Sequence, residues 1–136
     1  MSSVTGTEQL DAIGLQWDPA AVATIDRALI QVDDNQETEV VLSVLLQPRH
    51  GSGGAWPRHD APFQSVDLRF RGARRITMKA DAFPLGVRGF AVDDISDRGW
   101  EGVRLEVQDY ESESISFVCR SLEIAVAASG RAQAGR

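Results

Sequence analysis

Four carboxylates and a tryptophan crowd the nine residues from Asp93 to Glu101: Asp93, Asp94, Asp97, Trp100 and Glu101. Clustered carboxylates could hold calcium or magnesium, which take oxygen ligands at fixed offsets in a loop. A calcium loop beginning at Asp94 would need an oxygen ligand where Arg98 stands and a carboxylate where Leu105 stands, so the template fails. Asp33, Asn35 and Glu37 alternate in the same manner, but Thr38 occupies the place of the required glycine. Solvated turn residues account for both groups, and no metal or cofactor is expected. Trp100 has two readings. It either anchors a partner, as tryptophan does at interface hot spots, or folds back as a lid over the core. Asp93, Asp94, Asp97, Trp100 and Glu101 are therefore the candidate interaction residues.

His50 and His59-Asp60 share the loop from Pro48 to Pro62, which carries three prolines, three glycines and Trp56. A His-Asp pair could form a base dyad. The nearest serines, Ser52 and Ser65, lie in no nucleophile elbow, and two histidines without a neighbouring cysteine do not have zinc-ligand spacing. Gly51-Ser-Gly-Gly54 leads into Trp56-Pro57 and not into a helix, so it is not a phosphate-binding loop. The single cysteine, Cys119, lies in an apolar alternation with Ile115 and Phe117 and reads as a buried structural thiol. Arg69, Arg71, Arg74 and Arg75 form a basic cluster, with Phe70 out of phase on the core side. They read as a solvated outer face paired with carboxylates, not as a nucleic-acid groove. No catalytic residue is assigned, and the chain reads as not an enzyme.

The elements that position these residues are mostly strands. Leu10, Ile13 and Trp17 have helical spacing, and Asp18-Pro19 resembles a cap with proline at the first helical position, so a short turn is expected near Pro19–Ala23. A strand from about Thr24 to Asp33, the Asp33-Asp34-Asn35 turn and a strand from Glu39 to Gln47 form an expected hairpin. Alternation continues through Val66, Leu68 and Phe70, breaks at Gly72-Ala73, and resumes at Ile76, Met78 and Ala80. Phe83 to Gly86 turns into a strand from about Val87 to Ile95. Further strands hold Val103, Leu105 and Val107, then Ile115, Phe117 and Cys119. There the apolar phase slips to Leu122, Ile124 and Val126, which requires a bulge or kink at Arg120-Ser121. The expected fold is mainly β: an antiparallel β-sandwich or strongly curved sheet with at most a short N-terminal helix. Parallel pairing is not expected, because it needs long crossovers.

A length of 136 residues fits one domain, 1–136, with loose termini at about 1–7 and 129–136 and one long loop at 48–62. The hydrophobic content of 43% and charged content of 25% are those of a globular chain. The net charge of -6 disfavours nucleic acid, suits solubility and would attract a basic protein. No apolar stretch reaches the ~20 residues that span a bilayer, and the N-terminus has neither a basic start nor an apolar run. No membrane association and a cytoplasmic location are expected. A homo-oligomer is compatible with the pattern.

The stretch from Phe90 to Ile124 resembles the C-terminal half of the immunity protein 50 family of bacterial toxin systems. The likeness rests on Phe70-Arg71-Gly72, the tryptophan-containing turn, the Asp109-Tyr110 turn, and the closing Phe117-Val118-Cys119-Arg120-Ser121-Leu122-Glu123. The strand pair 25–47 matches that layout in order and length. The resemblance implies a non-enzymatic protein-binding module that neutralises a cognate toxin. Two other readings stay open: a ligand-binding or enzymatic β-domain using the 48–62 loop, and a self-assembling structural domain.

Overall fold

In a computed structural model the protein is described for residues 3–48, 56–58, 60–79, 82–111 and 113–126. His50, His59, Ala80, most of the 48–62 loop and the C-terminal stretch 129–136 lie outside the described residues. Those described form ten strands in two sheets, with one short helix, so the mainly β expectation holds. No helix among them is long and apolar enough to cross a membrane.

The elements are β1 (Val4–Thr5), α1 (Thr7–Asp11), β2 (Val22–Val32), β3 (Thr38–Leu46), β4 (Gln64–Arg71) and β5 (Arg74–Met78). They are followed by β6 (Leu85–Gly86), β7 (Phe90–Asp94), β8 (Leu105–Asp109), β9 (Ile115–Cys119) and β10 (Ser121–Val126). The larger sheet has the order β1-β10-β4-β3-β2-β6, and the smaller one β5-β9-β8-β7. Period-two alternation sends Leu42, Leu68 and Ile124 of the first and Val107 and Phe117 of the second into one core. Phe70 meets Phe117 edge to face across it, with ring centroids 5.0 Å apart.

Two tight corners carry the chain between the layers, in addition to the passages from β5 to β6 and from β6 to β7. At Gly72, with φ +67°, the chain leaves β4 and enters β5 in the other sheet, and Ala73 N–H donates to the Thr38 carbonyl. At Arg120 it crosses back, from β9 to β10. The phase slip in the sequence is therefore more than a bulge: the buried face changes because the strand changes sheets. Glu37, beside the β2–β3 turn, latches this second corner through its ion pair with Arg120. That bond, chiefly, holds the Glu37 carboxyl below its ordinary pKa and raises that of Arg120.

The expected β2–β3 hairpin forms, with Ile30 opposite Val40 and Val32 opposite Thr38. Asp33 organises its turn by accepting from the N–H groups of Asn35 and Glu37 at 2.8 and 3.0 Å. The turn expected at Pro19 is a short 3-10 helix capped by Asp18, which accepts from Ala20 N–H at 3.0 Å.

Two expectations change. One strand pair is parallel: β1 lies beside β10, with Val4 opposite Leu122. The crossover argument applies to strands close in sequence, whereas here nearly the whole chain lies between the partners. Gly6 makes the approach feasible: its φ is +89°, and a Cβ there would sit 2.0 Å from the Ile124 carbonyl oxygen. Residues 4–11 are accordingly strand and helix, with Leu10 fully buried. The strand expected over Val87–Ile95 is shorter, β7 at Phe90–Asp94, and the stretch expected to turn before it holds the separate strand β6 at Leu85–Gly86. Gly89, at φ +74°, turns the chain between them, so β6 completes the larger sheet while β7 edges the smaller.

Candidate functional site

The conspicuous residues collect on the outer face of the four-stranded sheet. Leu105 and Val107 of β8 and Phe117 and Cys119 of β9 point into the core, so the alternate residues Glu106, Gln108, Ser116 and Val118 point away from it. Over part of this outer face folds the segment between β7 and β8. Its Ile95 and Val103 cover Val118 in a second small apolar cluster. The cover is pinned at its start by Asp94, whose carboxylate accepts from the Ser96 hydroxyl at 2.6 Å and the Ser96 N–H at 2.8 Å. These bonds, the hydroxyl's first, lower the Asp94 pKa. Near its end, Arg74 donates to the Glu101 carbonyl at 3.3 Å.

Trp100 sits on this cover. Its ring is contacted by two guanidinium groups, Arg75 at 4.8 Å and Arg98 at 5.5 Å from the centroid, yet 38% of the residue remains exposed. Of its two readings, the lid over the main core does not apply: Ile95 and Val103 do the covering, and Trp100 rests among arginines. Arg75 reaches the ring because β5 is irregular there. Its φ is +56°, and the register with β9 shifts between Arg74 and Thr77, the kind of bulge that re-aims a side chain.

Asp93 and Glu106 are direct cross-strand partners, an arrangement in which like charges repel. Each carboxylate finds a different compensation. Asp93 accepts from the Tyr110 hydroxyl at 2.8 Å, and Glu106 pairs with Arg98 at 3.6 Å. The bond to Asp93 is the leading cause that raises the Tyr110 pKa, because it favours the protonated phenol. Tyr110 is 53% exposed. A continuous surface results, running from Trp100 through Arg98 and Glu106 to Asp93 and Tyr110.

All five sequence candidates are exposed and lie close together: Asp93 on the outer face of β7, Asp94 at the end of that strand opposite core-facing Leu105, Asp97 in the 3-10 turn Ser96–Arg98, and Trp100 and Glu101 beyond it. Among the described residues, no group of three His, Cys, Asp or Glu side chains is placed to hold a metal ion. The sequence reading missed Tyr110, Arg75 and Arg98. Tyr110 is the only tyrosine in the chain and follows Asp109, which was signal enough to single it out. Arg98 registered only as the residue that breaks a calcium template, and Arg75 was obscured because Arg69, Arg71, Arg74 and Arg75 read as one cluster. The corner at Gly72 divides them between the outer faces of the two sheets.

The opposite outer face, on the six-stranded sheet, carries a cleft of about 390 Å³ lined by Gln31, Asp33, Asn35, Glu39, Arg69 and Arg71, among others. Glu39 is buried beneath it. It accepts from the Gln31 side-chain amide at 2.7 Å and pairs with Arg69 and Arg71 at 3.5 and 3.8 Å. Arg71 also pairs with Glu123, and Ser43 donates to Asp67. These polar groups are matched to one another.

The placed end of the long loop is held by Gln47, buried after β3. Its side chain donates to the Arg58 carbonyl at 2.7 Å and accepts from Arg58 N–H at 2.6 Å, while Trp56 donates its indole N–H to the Gln47 carbonyl at 2.8 Å. Cys119 is buried, and burial pushes its thiol pKa up to about 12, which opposes nucleophilic chemistry at neutral pH. Compared with protein-family models, with curated proteins and with solved structures, the chain matches none.

Proposed function

We propose that this chain is a non-enzymatic protein-binding module whose recognition surface is the outer face of the four-stranded sheet. The observation that carries the reading is Trp100: an indole held by two guanidinium groups and still open to solvent. Tryptophan, tyrosine and arginine dominate interface hot spots, because a pre-positioned ring loses little entropy when a partner covers it. Here Trp100, Tyr110, Arg75 and Arg98 meet on one surface, each aromatic side chain restrained by a charged neighbour. The exposed carboxylates Asp93, Asp94, Asp97 and Glu101, with the net charge of -6, suit a basic partner by speeding encounter.

The specific form we propose is a toxin-neutralising immunity protein acting in the cytoplasm. The sequence likeness of residues 90–124 and the exposed Trp100–Tyr110 surface support it. The test is co-expression with the product of a toxin-sized reading frame adjacent to the gene. The wild-type chain restores growth and co-purifies with that product. Trp100→Ala, folded by circular dichroism, weakens the complex about 30-fold, the effect of losing one hot spot of about 2 kcal/mol. Growth unaffected by the neighbouring product, or full protection by Trp100→Ala and Tyr110→Ala alike, would overturn the proposal.

A further inference from the structure

Strand β2 runs for 11 residues, but its outer neighbour β6 meets it only at Thr24 and Ile25. From Asp26 to Val32, no other strand among the described residues pairs with that edge. An open edge is a template for another strand, and proteins ordinarily blunt it with charge, proline or a bulge. A bulge does lie between Ile25 and Arg27, but beyond it Arg27-Ala-Leu-Ile-Gln-Val32 runs in unbroken register with β3. This stretch also carries three of the chain's exposed large apolar side chains: Leu29 at 47%, Ile30 at 50% and Val32 at 63%. Ile30 lies opposite Val40, which is fully buried, so Ile30 and Val32 point to the core side of the sheet where the second sheet leaves them uncovered.

We propose that this edge is a homodimer interface, in which β2 of one copy pairs antiparallel with β2 of a second copy. The occupant is read from self-complementarity. Side-chain period demands that directly opposed residues share a face, so only alternate registers are allowed across a two-fold axis. With Ile30 opposite itself, Ala28 faces Val32 twice on the core side and closes a continuous apolar row. On the outer side the same register puts Leu29 opposite Gln31 and brings Arg27 to Asp33, the first residue past β2, one of whose carboxylate oxygens already holds the turn. With Leu29 on the axis, Arg27 would meet Gln31 and Asp26 would meet Val32. With Gln31 on the axis, Leu29 would meet Asp33. Of these three registers, the Ile30-centred one satisfies both charge and apolar matching. Asp26 and Asp34, next outward in it, lie at the bulge and in the turn, beyond the paired segment. The interface is independent of the surface around Trp100, so two copies can each keep a partner.

A short strand pair buries less than the 1,200–2,000 Å² typical of stable complexes, so the dimer should be weak and concentration-dependent. Sedimentation velocity from about 1 μM to about 1 mM covers the relevant affinities. The full chain is expected to shift from monomer to dimer in that range. Ile30→Lys places two like charges on the axis and should weaken dimerisation at least tenfold; Arg27→Asp should weaken it less. Both positions are solvent-accessible, so each variant should melt as wild type does. Register is read by disulfide trapping. Ile30→Cys should link to itself under mild oxidation. Ala28→Cys and Val32→Cys should link to each other when mixed, and neither to itself. The buried Cys119 supplies little background. A strict monomer across the range, a dimer indifferent to Ile30→Lys, or self-linking at position 28 or 32 would overturn the proposal.

Discussion

The two outer faces of this sandwich carry similar side chains and use them differently. On the six-stranded sheet, arginines, carboxylates and amides turn towards one another, and Glu39 is so fully engaged that only 3% of it is exposed. On the four-stranded sheet, arginines and carboxylates restrain two aromatic rings that stay exposed. A charge network closed on itself contributes to one rigid face, whereas one that props aromatic groups outward leaves apolar area for a partner to cover. On this view, the same residue types are structural on one face and available for recognition on the other.

The comparison can be broken most forcefully through the core that joins the faces. Phe70→Ala removes the ring that meets Phe117 and should cost about 3–5 kcal/mol in urea unfolding, destabilising both faces together. A loss under about 1 kcal/mol would mean the sheets are not packed through this contact.

Next comes the contrast between the faces. Glu39→Ala leaves Gln31, Arg69 and Arg71 without their common acceptor and should cost about 1–3 kcal/mol, with partner binding unchanged. Trp100→Ala should do the reverse, changing stability by about 1 kcal/mol or less while weakening binding. Equal effects of the two on stability would erase the distinction.

A smaller effect follows from the corner at Arg120. Glu37 has a folded pKa below its unfolded value, so its contribution is present above the unfolded value and is lost as pH falls through the folded one. The stability gap between wild type and Glu37→Gln should therefore shrink between neutral pH and about pH 3. A constant gap would show that Arg120 is not its partner. The finest probe is the single tyrosine. Absorbance titration should place Tyr110 above an ordinary phenol, and Asp93→Ala should bring it down towards about 10. An unchanged midpoint would mean the bond to Asp93 does not form.

Much of the sandwich was legible because burial imposes a period of two on every strand. The β2–β3 hairpin, the cap at Asp18 and the break at Arg120-Ser121 were all visible from residue type and phase. The candidate surface was half visible. Trp100 and the carboxylates from Asp93 to Glu101 stood out by composition, but their arginine partners did not, because charge spacing says nothing about which sheet a residue ends on.

By itself, the sequence determined which residues face inward along each strand, since apolar alternation is a local consequence of the pleat. Only the tertiary structure decided which strands share a sheet. The phase slip at Arg120 marked a change of face, but the crossing between sheets depends on β4 and β10 pairing far apart in the chain. The open edge of β2 likewise depends on where β6 stops. Pairing partners are set by the packing of distant segments, and no local pattern carries that information.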